Sequence, residues 1–189
     1  MDTKWTSGNE LKYLKEVLEN TDEVKKNPFT NRLEDAFCEK YNTKYAIAVN
    51  SGTSGLHAAL VAAGVKSGDE VITTPFTVLV DSSVPVIMEA IPVFADIEPG
   101  THNIDPKKIE SLIGPKTKAI VVMDYFCCIA NHEEIEKIAN RYNLRIIHDA
   151  AHSFGSSYKG QKIENAHAHH DTADDNVGNI ITDSSHDDS

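Results

Sequence analysis

The sequence predicts an α/β domain with a mostly parallel sheet and helices on both faces. Three observations predict it. Short apolar runs rich in Val, Ile and Ala recur along the chain and read as buried strands. Segments with helical spacing stand between them, so each crossover returns the chain to the same edge direction. Turn and cap residues separate most of the segments.

Each element follows from its own pattern. After Ser7, a candidate N-cap, Leu11, Leu14 and Leu18 recur at helical spacing. A second helix is predicted from about Thr30 to Tyr41, with Leu33, Ala36 and Phe37 on one face. YAIAVN (45–50) reads as a buried strand, followed by a tight turn and an Ala-rich helix over 51–64 that Gly64 ends. GDEVITT (68–74) is a strand, 78–90 a helix despite Pro85, and IPVFADI (91–97) a strand. Asp105-Pro106 supplies an N-cap and a proline at the first helical position, opening a helix to about Ile113. KAIVVMDY (118–125) is a strand, 131–142 a helix and LRIIHDA (144–150) a strand.

Composition bounds the function. No apolar run approaches the roughly 20 residues that span a bilayer, so no membrane helix is expected. The N-terminal MDTKWTSGNELKYLKEV lacks the apolar stretch of a secretory signal. Cys38, Cys127 and Cys128 are an odd set with two neighbours adjacent, which fits a reducing cytoplasm rather than a disulfide framework. The net charge of −11 disfavours nucleic acid or an anionic membrane as partner. Residues 164–189 hold Glu164 and six Asp with no Lys or Arg, leaving the body with 22 acids against 18 bases. That segment also holds four of the nine His and few large apolar residues. The chain therefore divides into a structured part, 1–163, and an acidic, His-rich tail, 164–189, expected to be disordered.

Ligands in parallel sheets sit at the carboxyl ends of strands, and three such ends carry polar chemistry. Asn50-Ser51-Gly52-Thr53-Ser54-Gly55 joins a strand to a helix. Its glycines allow close approach, and the helix N-terminus offers amides and partial positive charge, as a phosphate cradle does. A plain Ser-capped turn explains the same residues equally well. Asp149 ends a largely apolar strand, where a carboxylate needs a cation or donors. It could bind a metal, orient a His, pair with a protonated heterocycle or cap the next helix. His148 beside it is read as structural. Thr73, Thr74, Thr77, Asp124 and Tyr125 read as ordinary strand-end polarity. Cys127-Cys128 lacks metal or redox spacing, the tail histidines read as solvated, and no metal ligand is assigned.

Several stretches together resemble the DegT/DnrJ/EryC1/StrS family of pyridoxal-phosphate-dependent sugar aminotransferases. They are NPFTNRLEDAFCEKY, AIAVNSGTSGLHAAL, GDEVITTPFT, PVFADIEPGTHNIDPKKIE, TKAIVVMDY and RIIHDAAHSFGSSYKG, in order over about residues 28–163. The resemblance implies part of the large domain of the fold-type I aminotransferases. It implies that Gly52, Thr53 and Ser54 hold the phosphate of pyridoxal 5'-phosphate and that Asp149 pairs with its protonated ring nitrogen. His152 falls where the family has Gln or His near the cofactor's phenolic oxygen. The implied reaction moves an amino group from an amino acid, typically glutamate, to a nucleotide-linked keto sugar. A homodimer with sites at the subunit interface is also implied.

Three positions depart from the family pattern. The aromatic residue that the family stacks on the cofactor is matched by Val78, with Phe76 nearby. The family's glycine after the strand ending in Asp124-Tyr125 is matched by Cys127, which takes φ > 0 less readily than Gly. No lysine matches the Schiff-base lysine motif. Lys159 and Lys162 fall in SYKGQK, which the family has as a strand pair, and the resemblance stops near Ile163. This reads as a truncated or replaced end, and the chain alone is expected to be inactive. Two other classes stay open: a sugar dehydratase of the same family, and a non-catalytic remnant or binding module.

Overall fold

The computed structural model describes residues 8–19, 28–158 and 161–162. Ser7, Lys159 and the tail lie outside the described residues. The chain divides into two compact units, one ending at Ala48 and the other beginning at Val49.

In the first unit, α1 (Glu10–Glu19) and α2 (Pro28–Tyr41) are the two expected helices. Arg32 of α2 joins Glu16 of α1 at 2.8 Å and lies over the rings of Tyr13 and Phe29. The ion pair is exposed, so its contribution is small, at most about 1 kcal/mol. The leucine stripe of α1 (Leu11, Leu14, Leu18) and Leu33 of α2 face solvent.

The segment after α2 corrects one expectation. Residues 45–50 are not a buried strand: they have no regular secondary structure, and Tyr45, Ile47 and Val49 are exposed. A strand exists only within a hydrogen-bonded ladder, and among the described residues none pairs with this one. The Ala48 amide instead donates to the Glu34 carboxylate at 2.8 Å.

The second unit contains a four-stranded parallel sheet in the order β2-β1-β3-β4. Its strands are β1 (Glu70–Thr73), β2 (Ile91–Phe94), β3 (Thr117–Met123) and β4 (Arg145–Asp149). The expected 91–97 strand stops at Phe94, and Ile97 makes only an isolated bridge to Ile104. β2 is an edge strand and half exposed, whereas β3 is buried along most of its length.

Helices cover both faces of this sheet. α3 (Gly52–Ala62) and α4 (Val80–Ile87) lie on one, burying Leu56, Ala59, Leu60 and Val84 against Val71, Ala119, Val121 and Ile147. α5 (Pro106–Ile109) and α6 (His132–Tyr142) lie on the other. There Ile109, Ile135, Ile138 and Ala139 pack against Ile72, Ile120 and Val122. The split follows from the pleat, because successive side chains on a strand point to opposite faces. Odd positions of β3 and β4 thus meet α3 and α4, and even positions meet α6.

Two expected caps are present: Asp105 accepts from the Lys107 amide with Pro106 at the first turn of α5, and Gly64 follows α3 with φ +80°. Asn131 additionally caps α6. SYKGQK contains the antiparallel pair β5 (Ser157–Tyr158) and β6 (Gln161–Lys162).

Candidate functional site

The N-terminus of α3 is one part of the candidate site. Ser51 is extended and accepts the Ser54 amide on its Oγ at 3.2 Å, and the two hydroxyls lie 3.0 Å apart. The first intrahelical bond runs from the Gly55 amide to the Ser51 carbonyl. The amides of Gly52 and Thr53 precede that bond, so the helix itself supplies them no acceptor. The cap and the cradle are therefore one structure: Ser51 orders the turn whose next amides can face an anion.

Asp149 is the second part. β3 and β4 pair Val122 with His148 and Met123 with Asp149. The pleat sends Asp149 to the α3/α4 face and His148 to the α6 face. α3 packs against β4 directly, so the capped turn and Asp149 serve the same side of the sheet. Asp149 is buried, and its Oδ1 accepts from the Ala151 amide at 3.0 Å.

His152 is half-buried three residues further on. Its Nδ1 accepts the Phe126 amide at 3.3 Å. It joins a group of rings that sequence reasoning did not assemble. Phe76, after β1, lies 4.6 Å from Tyr125, after β3; Tyr125 is 4.7 Å from Phe126, and Phe126 is 5.5 Å from His152. Three adjacent strand ends thus contribute one aromatic wall. The visible signal was an aromatic or His residue within a few positions of each strand end. Val78 is itself partly exposed and offers no ring.

The turn carrying Tyr125 and Phe126 is strained. Phe126 (φ 47°, ψ 49°) and Cys127 (φ 62°) both occupy the left-handed region, which costs a non-glycine residue about 1–2 kcal/mol. The sequence-level concern at Cys127 was a need for positive φ, and that is the conformation it adopts. Buried Asn103 braces the turn, accepting the Tyr125 amide at 2.8 Å and donating to the Cys128 carbonyl at 2.7 Å.

Two carboxylates missed as functional candidates lie behind these residues. Asp124, on the α6 face, accepts His132 Nε2 and the Ala130 amide on Oδ1, at 2.9 and 2.8 Å, and His148 Nε2 on Oδ2 at 2.8 Å. Burial is the largest single influence and opposes its ionisation, but the hydrogen bonds and charges of the two imidazoles together outweigh it and hold the carboxyl well below its usual range. Burial also lowers the His132 pKa, against the pull of Asp124. A carboxylate only accepts, so both Nε2 atoms carry the proton. His, His and Asp are metal-ligating types within 4.8 Å of one another, yet here each carboxylate oxygen is already engaged directly by an imidazole. His148 is tied to Asp124 on the α6 face, and Asp124, engaged by three donors, is more than strand-end polarity.

On the opposite face, Asp81 of α4 is fully buried. Thr77 donates its hydroxyl to Asp81 Oδ2 and also approaches Met123 Sδ. Burial and then the charge of Asp149 push the Asp81 pKa up to about 7.

In parallel α/β sheets ligands bind at the carboxyl ends of the strands, and a helix N-terminus there suits an anion. The model of the DegT/DnrJ/EryC1/StrS aminotransferase family matches residues 6–170, and the chain belongs to that family. The chain is 39% identical to a GDP-perosamine synthase of Caulobacter vibrioides over 155 residues, 82% of this chain and 42% of that protein. It is 40% identical to a UDP-2-acetamido-2-deoxy-3-oxo-D-glucuronate aminotransferase of Pseudomonas aeruginosa, over 71% of this chain and 38% of that protein. Among solved structures it resembles NtdA of Bacillus subtilis with bound cofactor PMP. That match has a TM-score of 0.70 and 30% identity, covering 80% of this chain and 36% of the other. The chain thus spans roughly two fifths of the length of the curated relatives it matches. The matched family is one of aminotransferases, the Pseudomonas aeruginosa relative is by its name an aminotransferase of a UDP-linked 3-oxo sugar acid, and NtdA holds PMP.

Proposed function

We propose that this chain forms the cofactor-binding part of an aminotransferase that moves an amino group from an amino acid, glutamate being the expected donor, to a nucleotide-linked keto sugar. The observation that carries the reading is that Asp149 and the Ser51-capped start of α3 occupy the same face of one parallel sheet. The names of the two relatives support a nucleotide-sugar acceptor. A homodimer and a cytoplasmic location are part of the same proposal.

The residues present suit pyridoxal 5'-phosphate. Dianionic phosphate matches the amides of Gly52 and Thr53 and the hydroxyls of Thr53 and Ser54 at the positive end of α3. A protonated pyridine nitrogen matches the buried Asp149 carboxylate. When bound, the cofactor supplies an electron-accepting ring and a carbonyl that exchanges for an amine. Asp149 holds the ring-nitrogen proton in place. His152, held by the Phe126 amide, would stand beside the cofactor together with the rings of Phe76, Tyr125 and Phe126. No lysine of this sequence matches the covalent attachment motif, so the chain by itself is expected to hold the cofactor without a covalent bond and to show no turnover.

Titration of the chain with pyridoxamine 5'-phosphate, followed by fluorescence, tests the site. Asp149→Ala removes a charge-assisted hydrogen bond of about 1.5–3 kcal/mol, so affinity should fall about 10- to 150-fold. Unchanged affinity would remove Asp149 from the site. Turnover with glutamate that is abolished by Lys159→Ala or Lys162→Ala would show that one of these supplies the covalent lysine.

A further inference from the structure

The Asp81 carboxyl sits fully buried on α4 with one identified donor, the Thr77 hydroxyl on Oδ2, while Oδ1 receives none. Thr77 also touches Met123 Sδ, and Met123 is the register partner of Asp149, so the Asp81 and Asp149 carboxyl groups come together on this face and act on each other. Two carboxylates have no proton to share, and a buried pair of like charges is costly. One proton between them turns the repulsion into a hydrogen bond. Among the described residues, no counter-charge on the surrounding elements faces Asp81. α4 itself carries no other titratable residue, β2 carries none, and on α3 His57 is exposed. Glu70 stands at the far end of β1. On β3, Lys118 is exposed near the start of the strand, and on β4 Arg145 stands at the opposite end from Asp149 while His148 points to the other face.

We propose that Asp81 is a positioning residue that, as a neutral carboxylic acid, donates a hydrogen bond to the Asp149 carboxylate and fixes it toward the cofactor ring nitrogen. Thr77 completes the device by filling Asp81 Oδ2, which leaves the acid proton for Asp149. The raised pKa of about 7 fits a group that is half protonated near neutral pH and largely protonated below it. The inference rests on the cofactor reading above for its purpose, but the shared proton stands on the buried pair alone.

The test uses the full chain and two readouts. Infrared difference spectra between about pH 6 and pH 8 should show a protonated carboxylic acid carbonyl in the wild type. That band should titrate with a midpoint near 7 and be absent from Asp81→Asn. Fluorescence titration with pyridoxamine 5'-phosphate at about pH 6 should show Asp81→Asn, which keeps a neutral donor and a carbonyl acceptor, within about twofold of wild type. Asp81→Ala should bind about tenfold more weakly. If Asp81→Ala does not fold, Asp81→Asn and the infrared band still decide. A wild type without the band at about pH 6 would overturn the proposal. So would Asp81→Ala binding like wild type while Asp149→Ala binds weakly. If Asp149→Ala also binds like wild type, the cofactor assignment fails, and a persisting band would leave the shared proton standing.

Discussion

On the α6 face of the sheet, Asp124 receives two imidazole N–H groups and a backbone amide, and it is ionised well below the usual range. On the α3/α4 face, Asp81 receives one hydroxyl, meets a second carboxylate, and resists ionisation up to about pH 7. Both aspartates are fully buried, so desolvation disfavours the anion in each. The number and sign of the partners decide which form wins. The face with the donors is a closed structural brace. The face on which two carboxyl groups meet is the one that also holds Asp149 and the start of α3, and perturbed carboxyl groups of this kind are common at functional sites.

The largest effect should come from breaking the brace. Asp124→Ala strands two buried imidazole donors and the Ala130 amide, and should destabilise the chain by about 3–5 kcal/mol. Denaturant unfolding near neutral pH measures it, and a loss below about 1 kcal/mol would mean that the three donors find other acceptors.

The opposite face should respond to pH with the opposite sign. Asp81 has a raised native pKa, so its effect is absent below the unfolded value of 3.8 and grows as pH rises to about 7. Over that window the native state loses stability, on the order of 2–4 kcal/mol. Asp124 and His132 have depressed native pKa values, so their contributions are present near neutral pH and are lost on acidification. Asp81→Asn should therefore be more stable than wild type at about pH 8 and closest to it at about pH 4. Parallel wild-type and mutant curves from thermal melts across that range would contradict the account.

A smaller effect should come from the turn that links Asp124 to the aromatic wall. Cys127→Gly relieves the positive φ at a cost in unfolded-state entropy, for a net gain of about 0.5–1 kcal/mol in unfolding free energy. A loss would show that the Cys127 side chain stabilises the turn more than its backbone strains it.

Much of this comparison was legible beforehand, and the reasons are physical. The 51–64 helix with its Ser cap and the strand ending in Asp149 follow from local period and cap chemistry. The assignment of Asp149 and His148 to opposite faces follows from the two-residue pleat once the strand is recognised. Asp81 was not legible, because a Val- and Ser-rich helix with one Asp looks like a helix with a polar face. Only tertiary packing shows that this Asp points inward to Asp149. Asp124 required the pairing of β3 with β4 and the docking of α6, both non-local. The 45–50 segment shows the converse, since its apolar pattern is strand-like while pairing is not a local property.

The central claim is that Asp149 faces a protonated heterocycle on the face it shares with the start of α3. Nitrogen NMR of the chain with pyridoxamine 5'-phosphate labelled with ¹⁵N in the ring tests it most directly. A pyridinium signal is expected in the bound wild type at a pH where the free ligand's ring is neutral, and a neutral pyridine signal in whatever binds to Asp149→Ala. The same pyridinium signal in both proteins would contradict it.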